Sequence, residues 1–120
     1  MADRLPAALA AELEALGLGA GFVPPEAVAA AARAGLALRA RHGRGGTDVG
    51  VARAEALAAR RPHSAREMRV IAGWFARFAY LRGGRGWDDA ASPLTGRIAW
   101  ELWGGDAGRD WVERLRPEWA

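Results

Sequence analysis

Cysteine is absent from this 120-residue sequence, which excludes a disulfide framework and any thiolate metal centre. That fits a reducing compartment. Lysine, asparagine and glutamine are absent too, and all seventeen basic residues other than histidine are arginine. Such uniformity marks a biased composition, so an arginine in place of a lysine carries less meaning than usual. The missing amides are more informative. Asn and Gln are the usual readers of adenine, so any nucleic acid bound here would be held largely without regard to base sequence. Histidine is scarce: only His42 and His63 are present, each in an arginine-rich turn that repels cations. A metal site needs several ligands converging, so the expectation is no metal and no cofactor. No apolar run approaches the ~20 residues of a membrane span. The opening "MADRLPAALA" has acid and proline where a secretion signal needs a basic end and an apolar stretch. A soluble protein is expected, kept in the cytoplasm or inside a particle assembled there.

The length suits one domain with a modest core. The net charge of +3 hides an uneven distribution. Residues 41–82 hold nine arginines against Asp48, Glu55 and Glu67, whereas acids outnumber arginines on both sides. A basic middle between mildly acidic flanks suggests an anionic partner for the middle, or a solvated surface in an arginine-rich chain.

Hydrophobic spacing reads as helix throughout. Leu5, Leu9, Leu13 and Leu16 recur at helical intervals before Gly17, and "GLGAGFVPP" follows as a linker. Residues 1–23 are therefore expected to be an arm and linker, and 24–120 a single helical domain. Helices are expected near 25–41, 48–60, 65–81 and 93–103, with a last short one from Asp106 that ends before Pro117. Pro25 suits a first turn, Thr47 an N-cap and Gly43 a left-handed stop. Ser64 and Glu67 form an S-x-x-E capping box. Ser92 and Pro93 repeat the start signal. The expected fold is all-α: a compact orthogonal bundle of five or six short helices, with a helix-turn-helix-like central pair. Leu36, Val51, Leu57, Met68, Ile71, Phe75, Ile98 and Leu102 are the expected core. Five of six tryptophans follow residue 86. Trp100, Trp103 and Trp111 are expected to pack inside, and Trp87 and Trp119 to be exposed or to cover an edge.

No catalytic constellation emerges. Neither serine sits on a sharp strand-to-helix elbow beside a histidine, and Asp88-Asp89 reads as a solvated turn. "HGRGGTDVG" (42–50) lacks the Lys-Ser/Thr ending of a P-loop and follows a helix. Its physics still suits an anion, because Thr47 heads a helix with unpaired N–H groups and Gly45 and Gly46 allow close backbone approach. A turn made for tight helix packing is the competing account. On the following helix Arg66, Arg69, Arg77 and Tyr80 share a stripe, with Gly73 a flat spot between them. The candidate phosphate-binding residues are Arg41, Arg44, Gly45, Gly46, Thr47, Arg60, Arg61, Arg66 and Arg69, with no catalytic residue.

Two blocks carry a family resemblance. Arg44 to Ala54 ("RGGTDVGVARA") precedes Ser64 and the run from Arg66 to Arg77, and Gly96 to Trp111 ("GRIAWELWGGDAGRDW") closes the chain. Over about residues 35–115 the sequence resembles a small domain encoded by tailed bacteriophages and prophages. Phe78 departs from it, standing where that family tends to have histidine. The resemblance implies a phage or prophage setting, sometimes beside head-assembly genes, and no known reaction. The protein is thus expected to be a non-enzymatic, sequence-tolerant nucleic-acid binder in the bacterial host cytoplasm or in a phage particle. The alternative is a structural or protein-interaction domain of the particle or its assembly machinery, with the arginines meeting an acidic phage protein.

Overall fold

Pro25 and Gly43 bracket the first helix of the computed structural model, which describes residues 21–120. This helix, α1 (Glu26–His42), begins with Glu26 in its first turn and ends on Gly43 in the left-handed region, at φ 63°. Its inward face is built from small residues, Val28, Ala29, Ala32 and Gly35. Small side chains let neighbours come close. A Cβ on Gly35 would lie 2.6 Å from the main-chain nitrogen of Leu102. α1 is accordingly the central element, packed against the second, fourth and fifth helices.

α2 (Asp48–Ala58) starts at Thr47, whose hydroxyl accepts from the Gly50 N–H. α3 (Ala65–Phe78) starts with the full capping box: the Ser64 hydroxyl accepts from the Glu67 N–H, and the Glu67 carboxylate accepts from the Ser64 N–H, both at 3.1 Å. Both starts are as the sequence predicts. α3 is shorter than predicted, however, because the chain tightens into a 3-10 turn over Ala79–Gly83. After a loop come α4 (Thr95–Leu102), α5 (Gly105–Arg114) and α6 (Arg116–Trp119). The described residues are therefore all-α, a bundle of six short helices. Phe22 and His63 form an isolated antiparallel bridge outside any strand.

Four local expectations are corrected. Ser92 does not cap α4; the N-cap is Leu94, with no side-chain bond. Ser92 instead closes a turn in which the Asp89 carboxylate accepts from the Ala91 and Ser92 N–H groups. The helix from Asp106 ends before Pro117 as predicted, at Arg114, but it is not the last: Pro117 stands in the first turn of α6, where its missing N–H does no harm. Trp87 and Trp119 are buried, not peripheral. Trp87 packs edge-on against Trp100 at 5.7 Å, and the Trp119 indole N–H donates to the Val112 carbonyl at 2.8 Å. The predicted linker is docked where it is described: Phe22 is buried, and Gly21 and Phe22 N–H groups both donate to the His63 carbonyl. The leucine repeat of the arm lies outside the described residues.

The core follows the predicted list. Leu57, Met68, Ile71, Phe75, Ile98 and Leu102 are buried, with Leu36 and Val51 partly buried against them. Aromatics fill the rest. Phe75 meets Trp100 edge-on at 4.8 Å, and Trp74 stacks on Trp103 at 5.2 Å with nearly parallel rings. Edge-to-face and offset contacts of this kind add about 0.5–1.5 kcal/mol beyond area burial.

Candidate nucleic-acid interface

The nine candidate residues fall at opposite ends of α2. Arg41, Arg44, Gly45, Gly46 and Thr47 gather at its start, and Arg60, Arg61, Arg66 and Arg69 at its finish. Eleven helical residues separate the two groups by about 16 Å, from the rise per residue.

At the first end the glycines face inward. Gly45 and Gly46 have φ of 97° and 76°, a region that disfavours side chains. A Cβ on Gly45 would lie 2.6 Å from the Ile98 Cβ, and one on Gly46 2.5 Å from the Leu102 Cδ1. Helix α4 thus occupies the space these glycines open. Gly50 serves the same end, since its face is filled by the Trp103 indole. Around this turn the arginines hold main chain. Arg39 donates to the Gly45 carbonyl at 3.0 Å, and Arg44 to the Pro93 carbonyl at 3.0 Å. Arg41 is exposed. The packing account of the turn therefore has a concrete geometry.

The second end is a corner between α2 and α3. The connection spans residues 59–64, and the two helices lean on different neighbours: α2 on α1 and α4, α3 on α5 and α6. One ion pair ties them, Arg53 to Glu67 at 2.7 Å. Arg60 takes a left-handed backbone at φ 53°, uncommon for a side-chain-bearing residue, and its Nε donates to the Pro24 carbonyl at 2.7 Å. Arg69 donates to the Trp119 carbonyl at 3.4 Å. Arg61 and Arg66 project into solvent. A carbonyl orients a guanidinium without cancelling its charge, so these bonds leave the corner cationic. Among the described residues Arg41, Arg44, Arg61, Arg66, Arg69 and Arg77 form no ion pair with a carboxylate.

His63 supports this corner from beneath. It is buried, its main chain pairs with Phe22, and its Nδ1–H donates to the Arg61 carbonyl at 2.7 Å. That bond fixes the tautomer and leaves Nε2 as a buried acceptor. Trp111 lies edge-on to the ring at 5.9 Å. Burial pushes the imidazole below its ordinary pKa; the Glu67 carboxylate pulls the other way, and Arg53 reinforces the drop. For Glu67 itself burial acts upward, but hydrogen bonds from Arg53 and the Ser64 N–H outweigh it and hold the carboxyl low.

Sequence reasoning missed the Arg53–Glu67 tie and the burial of His63. The sequence puts Phe78 on one apolar face with Met68, Ile71 and Phe75; it does not single out Trp74, which meets Phe78 at 5.0 Å, or Leu81 in the 3-10 turn beyond. Among the described residues no cluster of three or more His, Cys, Asp or Glu is placed to hold a metal ion. Among them, too, no helix is long and apolar enough to cross a membrane. No family model, no curated protein and no solved structure matches this chain.

Proposed function

We propose that this protein binds the phosphate backbone of nucleic acid at the α2–α3 corner, without catalysing a reaction and largely without reading sequence. Arg66 carries the proposal. It is an exposed cation in the first turn of α3 with no ion-pair partner among the described residues, where the helix dipole disfavours positive charge by about 0.3–1 kcal/mol. Arg60 and Arg61, by contrast, complement the negative end of α2. A phosphate between Arg61 and Arg66 would offset both guanidinia. The setting we propose for it, on the sequence resemblance alone, is phage or prophage DNA handling, in the host cytoplasm or the particle.

Salt dependence tests it. Each neutralised phosphate releases counterions, so about three contacts from Arg61, Arg66 and Arg69 give a log–log slope of roughly −2 to −3 on duplex DNA. Arg61→Ala and Arg66→Ala should each flatten the slope by about one and weaken all sequences alike. Absence of salt-sensitive binding to duplex or single strands at low ionic strength would sink the proposal.

A second reading is an interaction domain of a phage particle or its assembly machinery. The observation that favours it is apolar exposure: Tyr80 is 72% and Val49 66% accessible.

A further inference from the structure

Helix α3 turns one face to solvent along its whole length. Arg66, Arg69, Gly73, Arg77 and, just past the helix end, Tyr80 are all exposed. They recur at intervals of three or four residues, which sets them in one row. At the helical rise the row is about 20 Å long. It carries no acid. The one carboxylate of α3, Glu67, lies off the row and is paired with Arg53. Among the described residues none of the three arginines has an ion pair. Two acids stand near its edges. Glu118, next to the Trp119 whose carbonyl Arg69 holds, is itself partnered. Thr47 lies across a hollow from Phe78, so Asp48 beside it offsets part of the Arg77 charge. The excess is therefore greatest at Arg66 and Arg69, beside the exposed Arg61 of the corner.

Gly73 has no packing role inside the protein. A Cβ placed there would meet nothing within 4 Å, yet glycine weakens a helix relative to alanine. Between Arg69 and Arg77 it leaves a saddle where a chain can lie against the helix backbone. Tyr80 closes the row. Its ring is 72% accessible and stands 6.3 Å from that of Phe78, which leaves an aromatic face free for a planar group. A duplex keeps its base faces inside the stack, whereas a single strand presents them to such a ring beside cations. No amide side chain stands on the row to read base edges.

We infer that this row binds single-stranded nucleic acid: phosphates along Arg66, Arg69 and Arg77, the strand crossing Gly73, and one base stacked on Tyr80. The inference rests on the phosphate-binding reading of the corner and adds the class of strand.

The test uses the full chain, labelled with nitrogen-15, and an oligothymidine of about twelve residues, within the ~4–16 nucleotides that a small single-strand-binding domain covers. The controls are the same backbone with abasic sugars, a duplex with as many phosphates, and oligoglutamate of matched charge. Oligothymidine should bind more tightly than the duplex and shift the backbone amides of Gly73, Arg77 and Tyr80. Removing its bases, or Tyr80→Ala, should weaken it about five- to a hundredfold, the loss of one stacked base. Tyr80→Phe should restore binding, and Tyr80→Ala should leave the abasic strand unaffected. Arg77→Ala should flatten the single-strand salt slope by about 0.7. Gly73→Leu should weaken oligothymidine without lowering the thermal midpoint, because it fills the saddle from outside.

The inference is overturned if Tyr80→Ala or Gly73→Leu binds oligothymidine as the wild type does. It is overturned equally if the abasic strand or oligoglutamate binds as well as oligothymidine, or if the duplex is preferred. Duplex binding that depends on Arg61 and Arg66 while Tyr80→Ala is silent would leave the corner standing without the row. Absence of salt-sensitive binding to any nucleic acid would remove both.

Discussion

His63 makes the fold sensitive to mild acid. Its imidazole is held neutral in the folded state, because burial lowers its pKa, while the unfolded chain titrates near the ordinary value of about 6.5. Below that pH the unfolded state binds the extra proton, so stability falls as pH falls, by at most about 1.4 kcal/mol per pH unit. Thermal midpoints between pH 7.5 and 5.5 should therefore decline in the wild type, and His63→Gln should flatten the decline whatever its absolute stability. Glu67 and Asp106, both held below their ordinary values, add their own loss only further into acid, below about pH 4.5. A second residue-scale prediction concerns the glycine turn. Gly45→Ala forces a Cβ against Ile98 at a positive φ, so it should destabilise by about 1–3 kcal/mol. Duplex affinity per folded molecule should stay as it was, measured by calorimetry and by titration on the same sample. A variant that keeps its melting temperature but loses DNA would return the turn to the role of a phosphate cradle.

Helix α3 shows how much the sequence discloses at the scale of an element, and where it stops. Its start was legible because a capping box is local: Ser64 and Glu67 are three residues apart and satisfy each other's backbone donors. Ser64→Ala should accordingly cost about 0.5–2 kcal/mol. Its inner face was legible because Met68, Ile71 and Phe75 repeat at the helical interval, and Phe75→Ala should lower stability by about 3–5 kcal/mol. An unchanged denaturation midpoint would remove Phe75 from the core. Its end was not legible, since the tightening after Phe78 depends on what Leu81 and Gly96 meet across the chain. α4 shows a similar limit. Ser92-Pro93 carries a valid start signal, but Asp89 takes the Ser92 N–H and Arg44 takes the Pro93 carbonyl, so the helix waits until Thr95. The candidate site was half legible for the same reason. Composition located the basic stretch, but no local rule says that α4 lies under Gly45 and Gly46 or that Arg66 is exposed.

At the scale of the molecule, the folded body begins no later than Gly21. Phe22 is buried and its backbone is bonded to His63, so the body is tied to the bend that carries Arg61. Removal of residues 1–20 should leave cooperative unfolding, whereas removal of residues 1–24 should lower the thermal midpoint by several degrees and loosen the arginine corner. A cooperative transition lost already with residues 1–20 would place part of the core in that segment. The aromatic interior has an optical consequence. Trp74, Trp87, Trp100 and Trp103 form a chain of neighbours at 5.2–6.0 Å, close enough for excitation absorbed by one indole to migrate among them. Emission from this group therefore reports on whichever ring is quenched or uncovered first. His63, edge-on to Trp111 at 5.9 Å, quenches that ring only when its imidazole gains a proton, which burial resists in the folded state. Ultraviolet fluorescence of the unlabelled chain should thus register loosening of the indole group, and acidification at the bend, as separate changes in colour and intensity.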